Sequence, residues 1–126
     1  MAEPTAVASQ AHLTTLLTTN KYAIVDFWAS WCPPCQAIGP LFATLAKTHS
    51  VPGKLVFAKV DMDLLTPEIA KQYDVRSIPT FLVFADGQPG GVDVVGRDEP
   101  VARIQGADSR GLTLVAAALG ELAKES

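Results

Sequence analysis

The stretch Tyr22-Ala23-Ile24-Val25-Asp26-Phe27-Trp28 is apolar on both of its alternating faces, and Cys32-Pro33-Pro34-Cys35 follows it almost at once. A strand without a polar face belongs in the middle of a parallel sheet with helices on each side, because a half-solvated strand would alternate. Asp26 is the one anomaly in it. From residue 33 to about 50 the period changes, and Ile38, Leu41, Phe42 and Leu45 recur at helical spacing. Pro33 and Pro34 fall in the first turn, where missing N–H groups cost nothing, while Pro40 falls inside the helix and is expected to kink it. Residues 55–60, Leu-Val-Phe-Ala-Lys-Val, form a second strand. Strand, helix and strand make a right-handed βαβ unit.

The remaining elements carry ordinary local signals. Thr66-Pro67-Glu68 starts a short helix running to about Tyr73, with Thr66 as its N-cap. Ile78-Pro79-Thr80 leads into the strand Phe81-Leu82-Val83-Phe84, and Asp86-Gly87 makes a turn. Residues 101–105 are expected as an antiparallel edge strand beside it, with Asp108 or Ser109 capping a last helix whose stripe is Leu112, Val115, Ala116, Leu119 and Leu122. Near the start, residues 5–9 add a strand and residues 10–17 a helix. Residues 88–100 exceed the 2 to 5 residues of an ordinary hairpin loop. They are expected to form a surface hairpin extension, with Val92, Val94 and Val95 partly paired and Arg97, Asp98 and Glu99 solvated at its turn.

Composition narrows the classes of function. At 126 residues and 48% hydrophobic, residues 1–126 suffice for a single domain with one core. A net charge of −3 leaves no basic face for nucleic acid. The apolar runs fall far short of the roughly 20 residues a membrane helix needs. No basic cluster precedes an apolar stretch at the amino terminus, so a reducing compartment, cytoplasmic or nuclear, is the expected location.

Two cysteines at i and i+3, the first at a helix N-cap, lie close enough to close a small disulfide. Cys32 is expected to be the exposed thiol, its thiolate favoured by the helix dipole and by the Cys35 N–H, with Cys35 buried one turn inside. That asymmetry suits exchange, in which Cys32 attacks a target disulfide and Cys35 resolves the mixed disulfide. A zinc site is the competing reading. It needs two more ligands, and only His12 and His49 offer them, without the short spacing such sites use.

A carboxylate in an apolar strand costs several kcal/mol unless it is neutral or paired. Asp26 is therefore either half of a buried ion pair with Lys59 of the neighbouring strand, or a base that deprotonates Cys35, directly or through water. Trp28 is expected in the core and Trp31 on the rim of the dithiol. The Ile78-Pro79 bond is an ordinary turn or a cis peptide.

Taken together, Val25-Asp26-Phe27-Trp28-Ala29-Ser30-Trp31-Cys32-Pro33-Pro34-Cys35, Pro40, Lys59-Val60-Asp61 and Ile78-Pro79-Thr80 resemble the thioredoxin family in order and spacing, over residues 22–122. The resemblance implies a thioredoxin fold of the α/β class, a central mixed β-sheet flanked by four helices. It implies Cys32 as nucleophile, Cys35 as resolving thiol, Asp26 with Lys59 as the buried pair behind them, and a cis Pro79. Trp31, Pro34, Ile78, Pro79 and Gly106 become the substrate-binding residues, the Ile78 backbone pairing with an extended target. Gly106 is preferred to Gly96 because Gln105-Gly106-Ala107-Asp108 leads directly into the last helix.

The implied activity is that of a protein disulfide reductase working in electron transport and cell redox homeostasis. It binds no cofactor beyond its redox-active disulfide, acts on disulfide-containing target proteins, and draws electrons from NADPH through an external thioredoxin reductase. Three features depart from the family's pattern: Pro33 stands where glycine is usual, Gln36 where lysine is usual, and residues 88–100 form an inserted hairpin or loop. Pro33 removes an N–H from the positive helix end and stiffens the loop, both of which favour the disulfide.

The residues from Gln105 to Asp108, with Gly111-Leu112, also look like thioredoxin-like proteins that carry a proteasome-interacting domain. The alternative function is thus a partner-binding module of a larger, proteasome-associated protein whose redox activity is secondary. A secretory oxidase or isomerase is disfavoured by the ending Ala123-Lys124-Glu125-Ser126, which is no retention signal.

Overall fold

The computed structural model describes residues 3–65 and 67–126, so the expected cap at Thr66 lies outside the described residues. In chain order the elements are β1 (Thr5–Ala6), α1 (Gln10–Thr19), β2 (Tyr22–Trp28), α2 (Pro33–His49), β3 (Leu55–Asp61), α3 (Pro67–Gln72), β4 (Thr80–Ala85), β5 (Gln88–Pro89), β6 (Arg103–Gln105) and α4 (Ser109–Glu125). The sheet runs β1-β3-β2-β4-β5, with β6 also paired to β4.

β2 is central, as its pattern requires, but it is parallel only to β3; β4 runs antiparallel to it. An apolar strand reports burial of both faces and is silent on the direction of its neighbours. Ile24 joins the face packed by α2 and α4, with Phe57, Phe81, Phe42, Leu45, Leu112 and Leu119. Val25 and Phe27 join the opposite face, against Leu13 and Leu17 of α1 and Ile69 of α3. Phe42 is the centre of the first layer, its ring 5.4 Å from that of Phe57 and 5.5 Å from that of Phe81. Such tilted aromatic contacts add about 0.5–1.5 kcal/mol each to the burial itself.

α2 continues through Pro40 as one 17-residue helix. Proline removes the bond to the carbonyl four residues earlier, yet Ile38, Phe42, Leu45 and Ala46 keep a buried stripe on both sides of it. α4 is capped by Asp108, whose carboxylate accepts the Gly111 N–H at 2.9 Å. Its stripe ends on Ala123 rather than on Leu122, which is exposed. At 3.6 residues per turn, eleven residues bring Ala123 back over Leu112, whereas ten leave Leu122 to one side.

The segment after β4 differs most from expectation. Asp86 and Gly87 both take positive φ, 54° and 83°, the geometry a two-residue hairpin turn demands, and they join β4 to β5. Beyond β5, Val92 pairs with Val101, and Val92 and Val94 are buried in the same core as α4. Val95 is 89% exposed. The extended period of two separates them: 92 and 94 share one face, 95 takes the other. The segment therefore covers core through Val92 and Val94, while the residues around them and the tip, with Arg97, Asp98 and Glu99, are surface. Val92→Ala should lower the free energy of unfolding by roughly 2 kcal/mol, while Val95→Ala stays within about 0.5 kcal/mol, as read by urea denaturation. Equal effects at the two sites would return the whole segment to the surface.

Candidate active site

The turn after β2 builds the dithiol. The Cys32 N–H donates to the Ala29 carbonyl at 3.2 Å, which reverses the chain and leaves Cys32 as the N-cap of α2. There its Sγ accepts the Cys35 N–H at 3.2 Å, and the Gln36 N–H donates to the Cys32 carbonyl at 3.1 Å. The Gln36 side-chain amide donates to the Ser30 carbonyl, tying the loop down from the helix side. Cys32 and Cys35 are joined as a disulfide, their Cα atoms 5.3 Å apart.

Cys32 is not the open thiol that its N-cap position suggested. In the disulfide it is only 3% exposed, packed with Cys35 and Ala29 against Trp28 and Ile78. The exposed residues are its neighbours Trp31, Pro33 and Pro34. His12 and His49 stand elsewhere: the His12 ring accepts the Ala8 N–H at 2.9 Å beside the start of α1, and His49 lies against Gly120 of α4.

Opposite the helix, the Ile78-Pro79 peptide is cis, and the Ile78 carbonyl oxygen lies 3.8 Å from the Cys32 sulfur. The Pro79 carbonyl accepts the Gly106 N–H at 2.8 Å. Gly106 and Gly96 both take left-handed φ, 84° and 85°, but it is Gly106 that bonds to Pro79, while Gly96 belongs to the tip beyond Val95. The Thr80 hydroxyl donates to the Ser77 carbonyl at 2.7 Å. Among the described residues the Ile78 N–H and carbonyl take no backbone partner, so a short peptide edge stands open beside the disulfide.

Trp31, 67% exposed, forms the rim, and its indole N–H donates to an Asp63 carboxylate oxygen at 3.1 Å. Asp63 was not legible as a site residue, since nothing local couples it to a tryptophan 32 positions away. Trp28 is half-buried rather than core, and its ring carries the Lys59 ammonium 4.2 Å from the centroid.

Asp26 stands opposite Lys59 in the β2–β3 register, yet Lys59 sits over Trp28 and Asp26 Oδ1 has no hydrogen-bond partner. The expected pair is thus a pair of neighbours without a direct ion contact. Asp26 is 1% exposed. Burial pushes its carboxyl up to about 7, against the opposing pull of the Lys59 charge. By the alternation of β2 it shares a face with Ile24, packed by α2, and with Trp28, which packs against the dithiol. The site therefore joins a redox disulfide, an open peptide edge, an aromatic rim and a buried carboxyl able to exchange a proton near neutral pH.

Comparison with known proteins agrees with this geometry. The family model described as Thioredoxin matches residues 3–106. A thioredoxin of Neurospora crassa is 42% identical over 119 residues, covering 94% of this chain and 88% of its own. A thioredoxin-like protein of Fusarium culmorum is 43% identical over 119 residues, covering 94% and 93%. Among solved structures, the thioredoxin of Malassezia sympodialis superposes with a TM-score of 0.73 at 28% identity, over 95% of this chain and 93% of that one. None of these supports a partnership with the proteasome. The residues that suggested it have work within the fold, Gly106 bonding to Pro79 and Asp108 capping α4.

Proposed function

The chain belongs to the thioredoxin family and is a protein thiol–disulfide oxidoreductase, and on that premise we propose that it works as a reductant with Cys32 as nucleophile. The observation that carries this assignment is the Cys32 sulfur at the N-cap, accepting the Cys35 N–H while bordering the Ile78 carbonyl. In the reduced protein the same N–H and the helix end stabilise a Cys32 thiolate. The thiolate attacks one sulfur of a target disulfide and displaces the other as a thiolate, giving a mixed disulfide. Cys35, giving up its proton to Asp26 directly or through water, then attacks the Cys32 sulfur. The target leaves fully reduced and the Cys32–Cys35 disulfide holds the two electrons' worth of oxidation.

The target's chain pairs with the open edge at Ile78, with Trp31, Pro34, Pro79 and Gly106 framing the groove. Return to the dithiol draws on NADPH through a separate thioredoxin reductase, which places the protein in electron transport and redox homeostasis of a reducing compartment, cytoplasmic or nuclear. Insulin, NADPH and a thioredoxin reductase supply the test: NADPH consumption and insulin precipitation should both depend on this chain. Failure to couple, together with a dithiol potential near that of strong oxidants, would reverse the assigned direction.

A further inference from the structure

Residues 73–79 carry the open edge from α3 to β4 without regular structure. A binding edge of this kind is held in place by bonds from outside itself. Its far end is held at Pro79 by the Gly106 N–H. Its near end is held by a side chain of the strand that leads to Gly106: Arg103 Nη2 donates to the Tyr73 carbonyl at 2.7 Å, and Nη1 donates to the Asp74 carbonyl at 3.0 Å. Asp74 takes a left-handed φ of 55°, uncommon for a residue other than glycine, and its carboxylate accepts from Arg76 Nε at 2.8 Å. β6 is itself registered on β4, Arg103 opposite Leu82 and Gln105 opposite Thr80. One short strand thus reaches both ends of the segment that bears Ile78.

We propose that Arg103 is a positioning residue for the target groove: by gripping the Tyr73 and Asp74 carbonyls it sets where the Ile78 N–H and carbonyl stand for pairing with an extended target. The inference rests on the backbone-pairing reading given above. The hydrogen bonds of its guanidinium go to these carbonyls and not to the cysteines. The planar fork fits two adjacent carbonyls, a geometry that a lysine ammonium meets only in part.

The test uses a disulfide-bearing peptide and the same peptide N-methylated at the residues flanking its cysteine, which removes the backbone N–H groups needed for pairing. With the parent protein, methylation should raise KM. Arg103→Met, which keeps the aliphatic stem, should raise KM for the unmethylated peptide about five-fold, the scale of one lost hydrogen bond, with kcat within two-fold. The methylation effect should shrink in that variant, and Arg103→Lys should recover part of it. Should Arg103→Met fail to fold, Arg103→Gln carries the same comparison, since it keeps a polar head that cannot span both carbonyls. A variant that melts lower yet discriminates the two peptides as the parent does would reduce Arg103 to a stabilising contact and overturn the inference alone. A parent indifferent to methylation would remove the pairing reading, and this inference with it.

Discussion

Cys32→Ser should abolish turnover of protein disulfides, a loss on the order of a thousand-fold or more, as expected when the sole nucleophile is removed. The chain has two cysteines, and a serine hydroxyl is far too weakly acidic to ionise and attack sulfur near neutral pH. Cys35→Ser should behave differently. The attack by Cys32 survives, because its N-cap position and the backbone N–H of residue 35 do not depend on the side chain there. Resolution is lost, so one equivalent of target accumulates as a mixed disulfide, visible as a covalent adduct that dithiothreitol releases. Trapping by Cys32→Ser with none by Cys35→Ser would exchange the two roles. Normal turnover by Cys35→Ser would leave the resolving step to an external thiol.

The second large effect concerns Asp26. Burial pushes its carboxyl up to about 7 in the folded chain against 3.8 ordinarily, opposed by the Lys59 charge. Between those values the folded state holds a proton that the unfolded state has released. The folded protein is therefore unpenalised below pH 4 and loses stability as pH rises through 7, by about 4 kcal/mol at 1.36 kcal/mol per pH unit. Asp26→Ala should then be more stable than the parent at pH 8, on the order of 1 to 4 kcal/mol once the small cavity is offset, and no more stable at pH 4. Urea unfolding at the two pH values decides it, and a difference that does not vary with pH would show that the buried charge is compensated. Catalysis should move the other way. The first attack by Cys32 changes little, while resolution by Cys35 slows, because the nearby proton acceptor is gone. Rapid-quench measurement separates the steps, and unchanged resolution would leave Asp26 with a structural role only.

What could be read from the sequence was whatever short-range periodicity and capping encode. The apolar run of β2, the helical stripe after Cys35, the Asp86-Gly87 turn and the cap at Asp108 are each decided within a few residues, and each stands where its chemistry placed it. Cys32 and Cys35 were legible for the same reason, since one helical turn is all that separates them. The cis bond at Pro79 came from resemblance alone, because proline by itself permits either isomer, and the choice of Gly106 needed its place just before the last helix, because left-handed glycine occurs at Gly96 too.

Tertiary structure decided the rest. Whether β4 runs with or against β2, whether Val92 and Val94 turn toward α4, and whether Lys59 reaches for Asp26 or lies over Trp28 all depend on partners remote in the chain. The same holds for Asp63 under the Trp31 indole and for Arg103 on the carbonyls of Tyr73 and Asp74. Local pattern reports how much of a residue must be buried or capped. Which group meets it there is settled only when the sheet closes and every buried donor and acceptor competes for the partners within reach.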